Sequence, residues 1–214
     1  MSSTPNTEQA STSPRRRLSR EERYRQLLDV AWRVIREEGT EALTLGHLAE
    51  RSGVTKPVVY DHFGTRTGLL AELYREFDAR QTALMDKALA ASEPTLTSRA
   101  TVIASSYVDC VLLQGGEIPG VIAALAGSPE LEKIKREYEA VFIEKCRSVL
   151  APFAGAIASA GLWAMLGAAE ALSYAAASGD ITAVQAKDEL FETIAAMVSR
   201  NARGGPRGGL AVQP

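Results

Sequence analysis

Residues 44–70 read TLGHLAERSGVTKPVVYDHFGTRTGLL, and the order of caps, breakers and apolar positions within them predicts three successive helices. Thr44 precedes Leu45, Leu48 and Ala49 at helical spacing, and a threonine hydroxyl there can accept from an otherwise unpaired backbone N–H. This first helix runs to about Arg51 and stops at Ser52-Gly53-Val54, where glycine can take the left-handed conformation of a sharp inter-helix turn and Val54 plugs it. Thr55 reads as a second N-cap, and Pro57 falls in a first helical turn, where its missing N–H is harmless. Val58, Val59 and Tyr60 follow, Phe63 closes the helix and Gly64 ends it. Thr65 then caps a helix that starts at Arg66 and continues through Leu69, Leu70 and Leu73.

Two short helices joined by a tight turn leave the start of the second one projecting, the shape that enters a DNA major groove. Lys56, Pro57 and Val58 are then placed at base edges: lysine donates to guanine acceptors, and proline and valine contact a thymine methyl. Thr44, Thr55, Tyr60, His62 and Arg66 supply donors suited to phosphates, which position a protein without reading sequence. Asp61 stands against this arrangement unless it is paired or accepts from a cytosine amino group. The competing reading is a helical hairpin in a core, with His62 and Tyr60 as packing groups.

The stretch resembles the DNA-binding signature of the TetR family, the tetracycline-repressor-type regulators, through Thr44, Leu48-Ala49, Gly53-Val54-Thr55, Val59-Tyr60, His62-Phe63, Arg66 and Leu70. With the preceding helix it covers roughly the first third of the chain. Two positions depart from the pattern: Ser52 stands where a small apolar residue is common, and Gly68 where an acid is more frequent. The resemblance implies an all-α protein, with an N-terminal three-helix DNA-binding domain and a C-terminal helical ligand-binding and dimerisation domain.

The 214 residues are 46% hydrophobic, enough for a sizeable core, and the net charge is only −2. Its distribution is more telling. Residues 1–66 hold 11 Lys+Arg against 9 Asp+Glu, leaving 13 against 17 beyond, so the basic excess lies with the DNA-binding stretch. The two cysteines, Cys110 and Cys146, lack CxxC spacing, and both histidines, His47 and His62, lie in the N-terminal part. Neither a disulfide framework nor a Cys/His metal site is expected, and no cofactor. The polar N-terminus lacks the apolar core of a secretory signal. Residues 148–169 carry no charge, but alanine, Pro152 and three glycines break the run, which reads as a buried helix rather than a membrane span. A cytoplasmic protein without a membrane partner is expected.

Residues 1–18 read as a disordered basic arm whose Arg15, Arg16 and Arg17 can reach an adjacent minor groove; a solvated charge run is the alternative. Residues 19–66 form the DNA-binding domain. Its first helix begins at the capping box Ser19 to Glu22, buries Leu27, Val30, Ala31, Val34 and Ile35, holds Trp32 at the stripe's edge and stops at Gly39. Residues 67–202 form the regulatory and dimerisation domain, and 203–214 a disordered tail. The helix from Arg66 extends to about Ala91. Further helices are expected from Thr97 to about Gln114, Val121 to Ala126, Pro129 until Pro152 ends it, 153–178, and from a capping box at Thr182 and Gln185 to about Arg200.

A small-molecule pocket is implied within residues 97–178, with Tyr107, Asp109, Cys110, Tyr138, Phe142, Trp163, Glu170 and Tyr174 as candidate lining. Carboxylates among aromatics suit a cationic or hydrogen-bonding ligand; a packed core is the alternative. Ala156, Ala160, Ala164 and Ala168 recur every four residues and, with Phe191, Ile194 and Val198, are the candidate homodimer interface. The expected function is a transcriptional regulator, a repressor of a pseudopalindromic double-stranded operator released by a small-molecule effector. The rivals are a ligand-independent DNA-binding or partner-binding protein and, more remotely, an all-helical enzyme, for which no catalytic histidine or phosphate-cradling loop is available.

Overall fold

The computed structural model describes residues 18–203, apart from the side chains of residues 115–117. The calls on Arg15, Arg16, Arg17 and the tail lie outside the described residues. Among these residues the fold is entirely helical: α1 (Arg20–Glu38), a 3-10 turn (Thr40–Ala42), α2 (Leu45–Ser52), α3 (Lys56–Phe63), α4 (Arg66–Ala91), α5 (Leu96–Glu117), α6 (Pro119–Leu125), α7 (Pro129–Ala154), α8 (Ser159–Ser178) and α9 (Ala183–Arg203).

Local chemistry sets most boundaries. The Ser19 hydroxyl accepts from the Glu22 N–H while the Glu22 carboxylate accepts from the Ser19 N–H, and Gly39 ends α1 at φ 86°. Thr182 and Gln185 make the same reciprocal pair before α9. Three boundaries differ from expectation. Thr95, not Thr97, caps α5, its hydroxyl accepting from the Ser98 N–H. Pro152 lies inside the last turn of α7; a proline there removes one bond only, to the carbonyl of Ser148, which is exposed. Gly155 (φ 68°) ends that helix, so the uncharged run is split between α7 and α8 rather than forming one helix. Among the described residues no single helix is long and apolar enough to cross a membrane.

The interior has two hydrophobic clusters. One runs from Leu27 through Leu48, Val59 and Phe63 to Phe77 and takes in Ile118, Val121, Leu125, Leu131 and Ile134. The other joins Met85 and Leu89 to Ile103, Val108, Phe142, Leu150, Leu162, Leu166, Leu190, Ile194 and Val198, where α5, α8 and α9 pack extensively. Helix α4 threads both. Trp32, more deeply buried than an edge position, donates its Nε1–H to Glu76, and the Tyr24 hydroxyl donates to Glu72 at 2.6 Å, so α1 is tied to α4 by polar as well as apolar contacts.

Candidate nucleic-acid interface

The α2–α3 turn is built by Gly53 in the left-handed region (φ 64°, ψ 34°) and by the Val54 N–H donating to the Ala49 carbonyl at 3.0 Å. The Thr44 hydroxyl caps α2 by accepting from the His47 N–H at 3.1 Å. Val59 and Phe63 anchor one face of α3 in the core. That leaves Lys56, Pro57, Tyr60 and Asp61 exposed and Val58 half-buried, with Tyr60 53% exposed. Thr55 occupies the N-cap position of α3, but its hydroxyl makes no capping bond. The expected donors at the start of α3 are therefore on one outward surface.

Lys56 lies over the beginning of α2, its Cε and Nζ 3.5 Å and 3.8 Å from where a Cβ at Gly46 would stand, ordinary contact distances. Arg20 was not expected to matter. The Arg20 guanidinium donates to the Asp61 carbonyl at 3.4 Å and brings a cation to the side of α3; its place just after a capping box was the available signal. Asp61 itself makes no ion pair among the described residues. His62 rests against the rings of Tyr24 and Phe63, each 6.0 Å away, and desolvation followed by the charge of Arg20 lowers its pKa. It is thus a neutral imidazole with one donor.

Arg66 departs from expectation. Its Nε donates to the Leu43 carbonyl at 2.9 Å and an Nη to the Thr40 carbonyl at 2.8 Å, with Glu41 at 3.5 Å. The guanidinium braces the segment before α2 and is not a free phosphate donor. Gly68 acquires a reason: a Cβ there would lie 2.2 Å from the Phe63 carbonyl oxygen, which packs directly onto α4. The Ser52 hydroxyl is buried without a hydrogen-bond partner.

In the remainder of the chain, Tyr107, Cys110, Tyr138 and Glu170 line a cavity of about 360 Å³ bounded by α4, α5, α7 and α8. Phe142 lies next to it, its ring 5.0 Å from Tyr107 and stacked 6.2 Å from Tyr138. The other three candidates are elsewhere. Asp109 pairs with Lys187 at 2.7 Å on an open face, and Trp163 and Tyr174 are 53% and 73% exposed. The missed residue is Asp78 on α4, 7% exposed with both carboxylate oxygens unpartnered, which burial lifts from 3.8 to about 7. Its signal was a carboxylate at core spacing with Tyr74 and Phe77. Tyr74 itself lines the cavity, and its phenol is pushed above its usual range by burial and then by Asp78.

Of the expected interface residues, Ala156, Ala160 and Ala164 are exposed and Ala168 and Phe191 half-buried. Ile194 and Val198 are not available to a second chain, being 0% and 1% exposed inside the second cluster. The outward face of α8 carries Ala160, Trp163, Ala164, Gly167, Ala171 and Tyr174 together with the exposed Glu170.

Residues 19–70 thus form a helix-turn-helix unit, with α1 and α4 bracing the pair. Residues 27–73 match the model of the bacterial regulatory proteins of the tetR family. It is similar to the HTH-type transcriptional activator FasR of Mycolicibacterium smegmatis, 44% identical over 63 residues, which is 29% of each chain. It also resembles the HTH-type transcriptional regulator BetI of Rhizobium meliloti, 34% identical over 82 residues, 38% of this chain and 39% of that protein. The chain therefore matches well under half the length of these curated relatives. Its fold is like that of a transcriptional regulator of the TetR/AcrR family from Thermobifida fusca, with a TM-score of 0.59 and 18% identity over 80% of this chain and 96% of that one.

Proposed function

We propose that this protein is a DNA-binding transcriptional regulator, a repressor acting in the cytoplasm, that reads a pseudopalindromic operator as a homodimer and releases it when a small molecule enters the α4–α5–α7–α8 cavity. Residues 19–66 are the reading head and 67–202 the regulatory and dimerising body. One observation carries the DNA reading: Val59 and Phe63 pin α3 so that Lys56, Pro57 and Tyr60 stand bare beside the uncapped hydroxyl of Thr55. Lys56 supplies base contact, and Thr44, Thr55, Tyr60 and Arg20 supply phosphate contacts. The outward face of α8, with Trp163 and Tyr174, supports dimerisation, because a large exposed apolar surface marks an interaction site.

The testing experiment is fluorescence anisotropy on DNA from immediately upstream of the gene, against scrambled DNA, across a salt series. Tight, specific, salt-dependent binding with two protomers per site is expected. Weak binding that is identical on every genomic fragment screened overturns the reading. A promoter reporter decides the sign of regulation, which the name of one relative, an activator, makes worth measuring. The cavity favours ligand control over a ligand-independent DNA binder, whose body would be sealed.

A further inference from the structure

The 360 Å³ cavity between α4, α5, α7 and α8 is uncharged in its depth and charged at its mouth. Tyr74, Tyr107 and Tyr138 with Cys110, Val111 and Gln114 make the deep wall, each of them buried or half-buried. Glu132, Lys135, Arg136 and Glu139 of α7 and Glu170 of α8 make the mouth, all exposed save the half-buried Glu139.

The charges at the mouth do not answer one another. Glu132 and Arg136 stand four residues apart with the acid first, the favourable order for an ion pair along a helix, and Lys135 and Glu139 are also four apart. Neither pair closes. None of the five groups has an ion pair among the described residues. On the same helix Lys133 and Glu137, which do not line the cavity, are in the less favourable order and still meet at 3.8 Å. Elsewhere in the body Lys145 pairs with Asp86 and Lys187 with Asp109. Open charges of both signs are therefore a property of this mouth and not of the surface at large.

The two signs are also set out in order. Lys135 and Arg136 are followed one turn later by Glu139, whose charge joins that of Glu170 in acting on the Tyr107 phenol, while Glu132 lies on the far side of the cations. Helix positions three or four apart are about 5–6 Å from each other, so a ligand that meets both signs must carry its own opposite charges close together. A simple amine would leave Lys135 and Arg136 beside its uncharged end. A simple carboxylate would leave Glu139 and Glu170 there.

We propose that this cavity takes an aromatic α-amino acid, its ring packed on Tyr74, Tyr107 and Tyr138, its carboxylate paired with Lys135 and Arg136 and its ammonium with Glu139 and Glu170. Ring packing supplies apolar and edge-to-face contact in the depth, and charge-assisted hydrogen bonds fix the head at the mouth. The volume is at the small end of ligand pockets, which suits a molecule of that size. The proposal rests on the small-molecule control suggested above and names its ligand class. The bound head group ties α7 to α8 across an opening that the protein's own charges leave unbridged.

The test is isothermal titration of the full chain with L-phenylalanine, L-tyrosine and L-tryptophan. The tightest of the three is then compared with the amine that lacks its carboxylate and the propionate that lacks its ammonium; for phenylalanine these are 2-phenylethylammonium and 3-phenylpropionate. Each counterpart is expected to bind about tenfold or more weakly. Lys135→Ala with Arg136→Ala should erase the advantage over the amine and keep that over the propionate, and Glu139→Gln with Glu170→Gln should do the reverse. These are mouth residues outside the packed core, and a general loss of structure would not split the two preferences. Binding by none of the three amino acids, a counterpart that matches the amino acid, or paired variants that weaken every probe alike overturns the proposal. Operator binding without any amino acid is measured separately: its loss would sink the regulator reading and leave the amino-acid result standing.

Discussion

Helix α3 and the middle of α4 handle polar groups in opposite ways. On α3 the inward face is wholly apolar, Val59 and Phe63, and Lys56, Pro57 and Tyr60 stand in water. On α4 the surroundings of Asp78 are closed, and a carboxylate is held inside without a partner. A surface meant for a large polyanion can leave its donors hydrated, because exposure is cheap and the partner brings enough contacts to displace water. A carboxylate closed inside the fold has no such partner, and burial instead makes it hold its proton up to about 7. The first arrangement costs the fold little; the second makes its stability depend on pH.

The largest test of this contrast is the pH dependence of stability. Asp78 titrates at about 7 in the folded protein against 3.8 ordinarily, so between these values the folded state binds the extra proton. Stability should therefore fall as pH rises from about 4 to about 7 and level off above, by roughly 4 kcal/mol in all. Asp78→Asn removes this component, and its advantage over the natural protein in urea denaturation should grow across that window. A pH-independent difference would break the contrast.

Next in size is Gly68→Ala. Its Cβ would fall 2.2 Å from a backbone oxygen that cannot move without shifting the α3–α4 turn, and a loss of about 3 kcal/mol is expected by thermal denaturation, with weaker operator binding. Lys56→Ala, by comparison, should leave stability unchanged and cost about 1–3 kcal/mol of discrimination at one operator position. Uniform weakening on all sequences would move Lys56 from base to phosphate contact. Smallest is Ser52→Ala, which removes a buried hydroxyl that has no partner and should stabilise the head by about 1 kcal/mol; a destabilised variant would mean the hydroxyl is satisfied in solution.

These residues also mark how far the sequence could be read. Helices α1 to α4 were legible because their ends are written locally, in Ser19, Gly39, Thr44, Gly53, Gly64 and Thr65. The outward set on α3 followed from the same logic. Arg66 was misread because its carbonyl partners, Leu43 and Thr40, lie more than twenty positions away in the chain and only the fold delivers them. Periodicity likewise marks Ile194 and Val198 as apolar without saying whether their partner is this chain or another, and Asp78 escapes it because only the fold brings α5 and α7 near that carboxylate.

The sharing of α4 bears on whether the head is interchangeable. The proposed DNA contacts lie on the surface of α3, but the packing beneath it continues through Phe77 and draws in Ile118, Val121 and Leu125 of α6 and Leu131 and Ile134 of α7. A chimera spliced at Arg66 would carry the exposed α3 side chains away from that support and leave apolar surface open on both halves. A transplant that keeps its footing has to bring α6 and the first turns of α7 with it, as a discontinuous graft.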